Sequence, residues 1–531
     1  MAQIFRGGFA ASVLLMAAGC ASAPPGSQFV KVESHAVAPS APSGMGRIFD
    51  RAAAASPEAP SGFRMLTAGL DGLLARVEVI DAAQHSLDLQ YYIFRCDASG
   101  LIVASALMRA ADRGVRIRII MDDGETVAGD EKILALTAHP GIEVRLFNPF
   151  RYRGHFRAIR AAEFLLNKQR LDYRMHDKLL VADNFVALIG GRNIGNQYFQ
   201  IDPDSQFGDD DVVAAGPVVQ DLSKVFDLFW NSAEVIPARA VDRRDTTPSA
   251  LVKLQSAITA SGNRLPESQD TFTAKLAAGE PIGGIASDKT PLSWSQARLV
   301  YDSPDKKDVG QGAAAGKLIY NTVAFEAKSV DTEMIMVTPY LVPTPDEMRL
   351  LNGERSRNAR VRILTNSLMS NPDVVAHAGY THYRHALLED GVQLYEIRAM
   401  LGSANGSGQG KAISRHGNYA LHAKLFVFDR KSVFVGSMNF DQRSKRLNTE
   451  IGLVIRSGAI AQQTAARFDA LTQPDNAYAV ELAGGGGPAA PLLWKTREAG
   501  QDKEFKVEPA RSGWQRFEAK VMSWLPLDRE L

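Results

Sequence analysis

The chain carries one pattern twice: His176-Asp-Lys178-Leu-Leu-Val-Ala-Asp183 and His422-Ala-Lys424-Leu-Phe-Val-Phe-Asp429. Gly190-Gly-Arg-Asn193 follows the first copy, and Gly436-Ser437-Met-Asn439 follows the second. Each residue of the second copy lies 246 positions after its counterpart in the first. A histidine and a lysine that recur in a fixed register indicate two half-sites that meet in one pocket.

The sequence around the two copies is also repeated. Strand-like and helical stretches alternate before each copy, and the strand predicted at Val361–Leu364 begins 246 residues after the one at Val115–Met121. Alternation of strands and helices favours an α/β fold with a largely parallel sheet. We therefore predict two similar α/β halves, the product of an internal duplication, packed with a shared active site at their interface.

Changes in composition divide the chain into segments. Residues 21–60 are rich in Ala, Pro, Ser and Gly and lack periodicity, which is typical of a flexible tether. The predicted organisation is a signal peptide and lipobox at 1–20, a tether at 21–60, a first half at 61–234, a connector at 235–300, a second half at 301–475 and a C-terminal segment at 476–531.

The N-terminus has the pattern of a bacterial export signal. A short apolar run, Phe9–Ala18, leads into Gly19-Cys20. The stretch Ala17-Ala18-Gly19-Cys20 resembles a lipobox in which Cys20 is lipidated. The alternative is cleavage after Ala23 to give a soluble secreted protein, but Pro24 disfavours it. We expect a protein of the bacterial cell envelope, anchored to a membrane on the periplasmic side. The sequence leaves open which membrane this is.

Composition excludes several classes of function. The formal net charge is +1, so no global basic field favours nucleic acid, and no nucleic-acid partner is expected. The two cysteines cannot build a disulfide framework or a cysteine-rich metal site.

The spacing within each copy predicts a phosphodiester site. In a strand, residues i and i+2 share a face, so each histidine projects together with its lysine. The lysines and the amides of Asn193 and Asn439 can hold phosphate oxygens, and the small residues at Gly190-Gly191 and Gly436-Ser437 permit close approach. One neutral histidine attacks phosphorus and the other protonates the leaving alcohol, which gives a phosphohistidine intermediate. No metal or cofactor is needed, because the lysines supply the positive charge.

For the acidic residues near the motifs, the sequence predicts supporting roles rather than direct reaction with phosphorus. Asp183 and Asp429 have odd spacing from their histidines, so we expect them to fix the turn or brace the two halves rather than to react. Histidine orientation needs hydrogen-bond partners. We propose Asp211 and Glu450, the acids that precede the next apolar run of each half, as these partners. A solvated loop is the alternative for residues 209–211.

The pattern His-x-Lys-x4-Asp resembles the phospholipase D superfamily, and both copies match it fully. Further stretches resemble the bacterial cardiolipin synthases of the C type; they are Ser86–Phe94, Arg145–Phe150, Arg174–His176 and Gly190–Gly195. The resemblance covers about residues 62–470. It implies transfer of a phosphatidyl group from phosphatidylethanolamine or phosphatidylglycerol to a hydroxyl of phosphatidylglycerol. It also places the two histidines, two lysines and two aspartates of the motifs in the active site.

Other segments have competing interpretations. The basic and apolar stretch 151–174 could lie against anionic headgroups or pack on its own domain. The glycine-rich stretch 401–412 could be a lid or a plain surface loop. The tail residues Trp514, Phe517, Val521, Trp524 and Leu525 have helical spacing, for which core packing is the favoured interpretation.

Four functions remain open from the motifs. Cardiolipin synthesis by phosphatidyl transfer is the first, and hydrolysis of phospholipid to phosphatidic acid is the second, since only the resolving nucleophile differs. A nuclease and a non-catalytic membrane scaffold are third and fourth; near-neutral charge disfavours the former, and two intact motifs disfavour the latter. Phospholipids in a membrane are the expected partners. The sequence leaves open which histidine attacks and whether an accessory protein is needed.

Overall fold

The computed structural model describes most of the chain. The described residues are 24–38, 58, 60–125, 129–154, 156–202, 204–261, 291–308, 319–356, 358–401, 419–487 and 490–525. Cys20 with its lipobox, much of the predicted tether and most of the glycine-rich stretch 401–412 lie outside these residues.

The first half is built on one sheet with helices beside it. Its strands are β1 Ser61–Leu66, β2 Ser86–Tyr91, β3 Arg116–Asp122, β4 Ile142–Phe147, β5 Lys178–Ala182, β6 Val186–Gly190, β7 Gln206–Gly208, β8 Asp211–Ala215, β9 Val235–Pro237 and β10 Ser293–Ser295. Its helices are α1 Gly69–Ala82, α2 Ala98–Asp112, α3 Arg157–Leu166, α4 Lys168–Leu171, α5 Pro217–Asn231, α6 Ala238–Val241 and α7 Pro248–Ser261, with a 3-10 helix at Asp130–Ala138.

The second half has the same plan with additions at its end. Its strands are β11 Ala297–Tyr301, β12 Glu333–Val337, β13 Arg360–Asn366, β14 Gln393–Ile397, β15 Tyr419–Leu421, β16 Leu425–Phe428, β17 Ser432–Gly436, β18 Ile451–Ile455, β19 Ala477–Leu482, β20 Leu492–Glu498 and β21 Gln501–Phe505. Its helices are α8 Ile319–Lys328, α9 Pro345–Ser356, α10 Val374–Thr381, α11 Arg384–Glu389, α12 Gln442–Arg446, α13 Gly458–Leu471 and α14 Gly513–Met522, with 3-10 helices at Lys306–Asp308 and Ala483–Gly485.

The strand orders of the two sheets demonstrate the duplication. The first sheet runs β10-β1-β8-β6-β5-β2-β3-β4-β9 and the second runs β11-β18-β17-β16-β12-β13-β14-β19-β20-β21. Aligned on the two motif strands, β5 and β16, eight successive positions from β1 or β11 to β9 or β19 correspond. The prediction of two similar α/β halves is confirmed.

The prediction of a largely parallel sheet is wrong. Only β2, β3 and β4 pair in parallel in the first sheet, and only β12, β13 and β14 in the second. The motif strand β5 pairs antiparallel with both β2 and β6. The short connection after each motif accounts for the pairing of β5 with β6 and of β16 with β17, because a tight hairpin can join only antiparallel strands.

The halves pack face to face through one apolar cluster. Leu179, Ile189 and Val212 of the first half belong to the same buried cluster as Val435 and Leu453 of the second. Main-chain pairing adds to this packing, since β7 pairs in parallel with β15 and Met175 forms a bridge with Thr449. The segment that enters each motif is thus hydrogen-bonded to the opposite half.

Residues 24–38, which the sequence analysis places in a flexible tether, lie against the first half. Lys31 Nζ donates to the carbonyl of Val235 at 2.9 Å, and the backbone NH of Ala36 donates to Asp227 at 2.8 Å. The guanidinium of Arg145 donates to the carbonyl of Val32 at 2.8 Å. Composition indicated a loose segment here, but buried arginines of the sheet bind its carbonyl groups and hold it.

The predicted connector and tail also differ from expectation. β9 and α7, within the predicted connector, complete the first half, and Leu254 of α7 is buried in its core. β19, in the predicted C-terminal segment, is the counterpart of β9 in the second sheet. The core-packing interpretation of the tail is wrong, because Trp514 and Trp524 are 70% and 71% exposed. Only the small side chain of Ala519 is buried in α14.

Candidate active site

The two motif strands place both histidines at the interface of the halves. His176 lies two residues before β5, which begins at Lys178, and His422 lies three residues before β16, which begins at Leu425. The backbone NH of His176 donates to the carbonyl of Thr449 at 3.0 Å, and that of His422 donates to the carbonyl of Gly208 at 2.7 Å. Each histidine is therefore positioned by the main chain of the opposite half.

The carboxylate partners of the histidines are also exchanged between the halves. His176 Nδ1 lies 2.9 Å from a carboxylate oxygen of Glu450, and His422 Nδ1 lies 2.5 Å from a carboxylate oxygen of Asp209. The prediction that Glu450 is the hydrogen-bond partner of a motif histidine is confirmed, and that histidine is His176 of the opposite half. The imidazole of each half completes its hydrogen bonds only when the other half is in place.

The prediction that Asp211 is the hydrogen-bond partner of a motif histidine is wrong. Asp211 accepts from Arg76 Nη1 at 2.8 Å and from the backbone NH of Arg192 at 3.2 Å, so it secures the first half internally. Strand register identifies the true equivalents. Gly190 pairs with Asp211, whereas Gly436 pairs with Gly452, so the counterpart of Glu450 is Asp209.

Glu450 is held by hydroxyl groups. Ser437 Oγ and Ser444 Oγ each donate to one of its carboxylate oxygens, at 2.5 and 2.8 Å. Ser437 thus supports the carboxylate that bonds to His176. Burial raises the pKa of Glu450 to about 7, although Lys178 and the two serines act in the opposite direction.

Both lysines are buried beside the histidines. Lys178 and Lys424 are each 1% exposed, and each ammonium donates to the carbonyl of the histidine two residues before it. Lys424 Nζ also lies 2.9 Å from Nδ1 of His422. Burial lowers the pKa of Lys424 to about 8 and lowers that of Lys178 well below its usual value.

Both histidines are neutral near pH 7 in this state. Burial lowers the pKa of His422 to about 3, with a further decrease from the charge of Lys424. Burial also lowers the pKa of His176 well below its usual value, and Lys178 adds to this effect. A bound phosphate would raise both pKa values, because an anion favours the protonated imidazole. The site is therefore suited to holding one neutral and one protonated histidine once an anion binds.

The two asparagines border the same cavity as the histidines. Asn193 Oδ1 accepts from the backbone NH of Ile93 at 3.1 Å, while its Nδ2 has no hydrogen-bond partner among the described residues. The backbone NH of Asn439 donates to Ser444 Oγ at 3.2 Å, and its Oδ1 is likewise without a described partner. Buried polar atoms are rarely left unpaired, so these amides are available to a ligand.

The aspartates that end the motifs lie at the hairpin turns, away from the histidines. Asp183 accepts from the backbone NH groups of His85 and Ser86 at 2.7 and 2.9 Å. Asp429 accepts from those of Thr332 and Glu333 at 2.8 and 3.0 Å. Both aspartates have positive φ, as a tight turn requires. Each fixes its turn against the start of the neighbouring strand within its own half, and neither braces the two halves.

Asp429→Asn is expected to destabilise the fold by about 1–3 kcal/mol at pH 7, because a charged acceptor of several backbone NH groups is lost. Burial alone would raise the pKa of Asp429, but hydrogen bonds from Asp331, Glu333 and Thr332 outweigh it and lower the pKa. The stabilisation is therefore present above the unfolded-state pKa of about 4 and is lost as pH falls through the lower folded-state value. Melting temperatures at pH 7 and pH 3 measure this difference.

The control for this variant is Asp331→Asn, which changes an exposed carboxylate beside the same turn. Its melting temperature should stay close to that of the wild type at both pH values. An Asp429→Asn deficit that is as large at pH 3 as at pH 7 would contradict the assigned role of the charge.

A cavity of about 1160 Å³ opens over both histidines. Sequence reasoning missed the aromatic and ionic residues that shape it. The Tyr92 ring meets His176 edge-on at 5.1 Å, and Phe207 stacks on His422 at 5.3 Å. Arg443 also borders the cavity and forms an ion pair with Asp172 of the other half at 2.6 Å. Tyr92 could have been found, because it lies in the stretch 86–94 that carries the family resemblance; the others depend on contacts between the halves.

Loss of the positive charge on Lys424 should determine how kcat/KM falls at alkaline pH. Because its pKa is about 8 in the empty site, Lys424 is charged below pH 8 and increasingly neutral above it. Lys424→Arg keeps a charge at every accessible pH. We expect the ratio of kcat/KM of the wild type to that of Lys424→Arg to fall by about tenfold per pH unit above pH 8.

This ratio removes the contribution of the histidines, which titrate in both proteins. The measurement uses a water-soluble short-chain phospholipid between pH 6 and pH 10. A ratio that stays constant to pH 10 would show that the ammonium of Lys424 does not carry the phosphate-binding charge.

No helix among the described residues combines the length and the apolar composition needed to cross a membrane.

Comparison with known proteins gives a consistent result. A family model described as "Cardiolipin synthase, PLD-like domain" matches residues 77–230 and 326–472, one match in each half. Cardiolipin synthase C of Escherichia coli is 36% identical over 470 residues, which are 87% of this chain and 94% of that protein. Cardiolipin synthase 2 of Bacillus anthracis is 25% identical over 395 residues, or 73% of this chain and 60% of that protein.

A solved structure shares the fold. The phosphatidylserine synthase of Haemophilus influenzae superposes with a TM-score of 0.55 at 12% identity, covering 88% of this chain and 95% of that one. At this identity the likeness supports the arrangement of the two halves and nothing finer.

Proposed function

The chain belongs to the cardiolipin synthase family with phospholipase D-like domains, and we propose that it makes cardiolipin by transferring a phosphatidyl group between phospholipids. Its reaction class is that of a phospholipase D-type phosphatidyltransferase. One observation carries the proposal. Two histidine-lysine pairs, one from each half, lie at one interface, and the acid of each half orients the imidazole of the other.

The first step cleaves the donor phospholipid. The neutral imidazole of His176 or His422 attacks phosphorus through Nε2, while its Nδ1 is bonded to the carboxylate. The bond from phosphorus to the headgroup oxygen breaks, and the second histidine, protonated, gives its proton to that oxygen. The products are the free headgroup alcohol and a phosphatidyl-histidine. Lys178 and Lys424 neutralise the charge that develops on the non-bridging oxygens.

The second step forms the product. The second histidine, now neutral, takes a proton from the hydroxyl of phosphatidylglycerol as that oxygen attacks the phosphatidyl-histidine. The P–N bond breaks, the first histidine is released neutral, and the second is again protonated. The lysines supply the positive charge throughout, so the proposal requires no metal or cofactor.

The proposal includes attachment to the cell envelope. We infer that a lipid on Cys20 tethers the enzyme to a membrane on the periplasmic side, and residues 1–20 are the support for this. Metabolic labelling with a radioactive fatty acid tests it. The label should appear on the wild type and be lost in Cys20→Ser; equal labelling of both would exclude this anchor.

The test of function is a lipid product assay. The purified protein is incubated with vesicles of phosphatidylglycerol alone, and with vesicles of phosphatidylglycerol and phosphatidylethanolamine. The lipids are then separated and identified by mass spectrometry. His176→Ala is the matched control. The proposal predicts cardiolipin from the wild type and none above background from the variant.

The two vesicle compositions identify the donor. Free glycerol released with cardiolipin means that phosphatidylglycerol donates, whereas free ethanolamine means that phosphatidylethanolamine does. Phosphatidic acid without cardiolipin would overturn transfer in favour of hydrolysis. Absence of turnover by a folded protein would mean that a partner protein is needed or that the substrate is another phosphodiester.

A further inference from the structure

We propose that an apolar and basic rim beside the active-site cavity, formed by α3 and α14, docks onto an anionic phospholipid bilayer. The rim consists of eight exposed apolar residues, which are Phe156, Ile159, Leu165, Leu166, Trp514, Phe517, Trp524 and Leu525. The role of the rim in substrate access rests on the proposed function. The surface itself is defined by the exposure, charge and position of its residues.

The α3 segment exposes side chains that a helix packed on its domain would bury. Phe156, Leu165 and Leu166 are 72%, 73% and 85% exposed, and no residue of Arg157–Leu166 is buried. The helix is nevertheless held in place. The Arg160 guanidinium stacks over the Phe150 ring at 3.9 Å from its centre. An ordered helix with an outward apolar face indicates a binding surface rather than a loose segment.

The exposed charges of α3 and its flanks are basic. Arg151, Arg157 and Lys168 are all exposed, and the one acid of the helix, Glu163, is half-buried, where it accepts from the backbone NH groups of Arg151 and Tyr152. Exposed apolar side chains with arginine and lysine among them match the chemistry of an anionic bilayer, whose headgroups bind the cations and whose acyl chains receive the apolar groups.

The rim is continuous with the active site. Phe156 and Leu165 line the cavity that His176 and His422 also line. Because both α3 residues are more than 70% exposed, they mark an opening of this cavity. Val375 of α10 lines the same cavity from the second half.

The α14 helix extends the rim beyond α10. It packs on α10 and is fastened beside it, with Gln515 Nε2 donating to the carbonyl of Leu368 and His382 Nε2 bonded to that of Ser523, both at 2.8 Å. Its rings point outward, since Trp514 and Phe517 lie 5.3 Å apart and are 70% and 54% exposed. Arg516 and Lys520 of this helix are exposed, as is Arg511 just before it.

Both halves thus contribute an apolar and basic helix next to one opening. A phospholipid keeps its acyl chains in the bilayer while its phosphodiester enters the cavity, and a protein that works this way must rest its opening on the lipid surface. Tryptophan and phenylalanine are suited to the interface between headgroups and acyl chains.

Tryptophan fluorescence tests the orientation independently of any N-terminal anchor. Of the five tryptophans, Trp230 and Trp494 are buried and Trp294 is half-buried, so Trp514 and Trp524 are the two that brominated lipids can reach. The full chain with Cys20→Ser is mixed with vesicles containing brominated phosphatidylcholine and phosphatidylglycerol. We expect strong quenching of the wild-type signal and loss of that quenching in Trp514→Phe/Trp524→Phe.

Kinetics test whether the rim serves the active site. Ile159→Ser/Leu166→Ser changes two rim residues that do not line the cavity. Phe325→Ser changes an exposed ring on α8 that belongs neither to the rim nor to the cavity lining. The rim variant should lose about tenfold of its activity on phosphatidylglycerol vesicles. Its activity on a monomeric short-chain phosphatidylglycerol should be unchanged. Phe325→Ser should match the wild type on both substrates.

The outcomes separate the rim from the reaction. Quenching without turnover of either substrate would support the rim and overturn the proposed function. Turnover of vesicles with no quenching of vesicle-bound protein would support the reaction and overturn the rim. An equal loss of vesicle activity in Phe325→Ser would also overturn the rim, because general surface apolarity would then explain binding.

Discussion

Replacing either motif histidine with alanine is expected to lower the rate of phosphatidyl transfer by about 10³–10⁴-fold. In His176→Ala or His422→Ala, either the nucleophile or the proton donor is missing, and each step needs both. Because the two side chains act in the same step, the double variant should be little worse than either single one. Rates on short-chain phosphatidylglycerol measure this, with circular dichroism to verify folding.

The two single variants should differ in their residual activity on an activated donor. The variant that retains the nucleophile can still react with a donor whose leaving group needs no proton, such as a p-nitrophenyl phosphodiester. The variant without the nucleophile cannot. Losses that multiply in the double variant, or a single variant within tenfold of the wild type on natural lipid, would contradict a single site shared by both histidines.

Glu450→Gln is expected to lower kcat by about 10²–10⁴-fold, since glutamine keeps the shape of the side chain but removes the anion that accepts from His176 Nδ1. The effect must reach the histidine of the first half, although Glu450 belongs to the second. Nitrogen NMR of the imidazoles measures this directly: the His176 Nδ1 resonance should shift and that of His422 should not. Asp209→Asn should do the reverse.

The matched control for this experiment is Asp211→Asn. Its carboxylate bonds to Arg76 within the first half, so the variant should lose stability and leave both imidazole resonances in place. A shift of His422 in Glu450→Gln, or of His176 in Asp211→Asn, would contradict the exchange of acids between the halves.

The repeated motif predicted most of the site, because the period of the duplication fixes which residues are equivalent. His176 and His422 lie at matching positions just before β5 and β16, and each lysine follows its histidine by two residues. The turn role of Asp183 and Asp429 could be predicted from their odd spacing. The roles of all these residues in catalysis stay predictions until the variants are measured.

The acids could not be assigned from spacing alone. The second half is five residues shorter than the first between the motif and its acid, so the constant offset fails, and only the register of β8 and β18 aligns Asp209 with Glu450. Each acid bonds to the histidine of the opposite half, and this depends on how the halves pack. The sequence pattern within one half carries no information about that packing. The packing of residues 24–38 was missed for a related reason, since it depends on arginines more than 80 positions away.

The most direct test of the central claim is the stereochemical course at phosphorus. A phosphatidylglycerol with one non-bridging oxygen replaced by sulfur, in one configuration, serves as donor to unlabelled phosphatidylglycerol. If a phosphatidyl-histidine forms and is then resolved, phosphorus undergoes two in-line displacements. Each displacement inverts its configuration, so the account predicts cardiolipin with the configuration of the donor retained. Inverted configuration would mean a single direct displacement and would contradict the account.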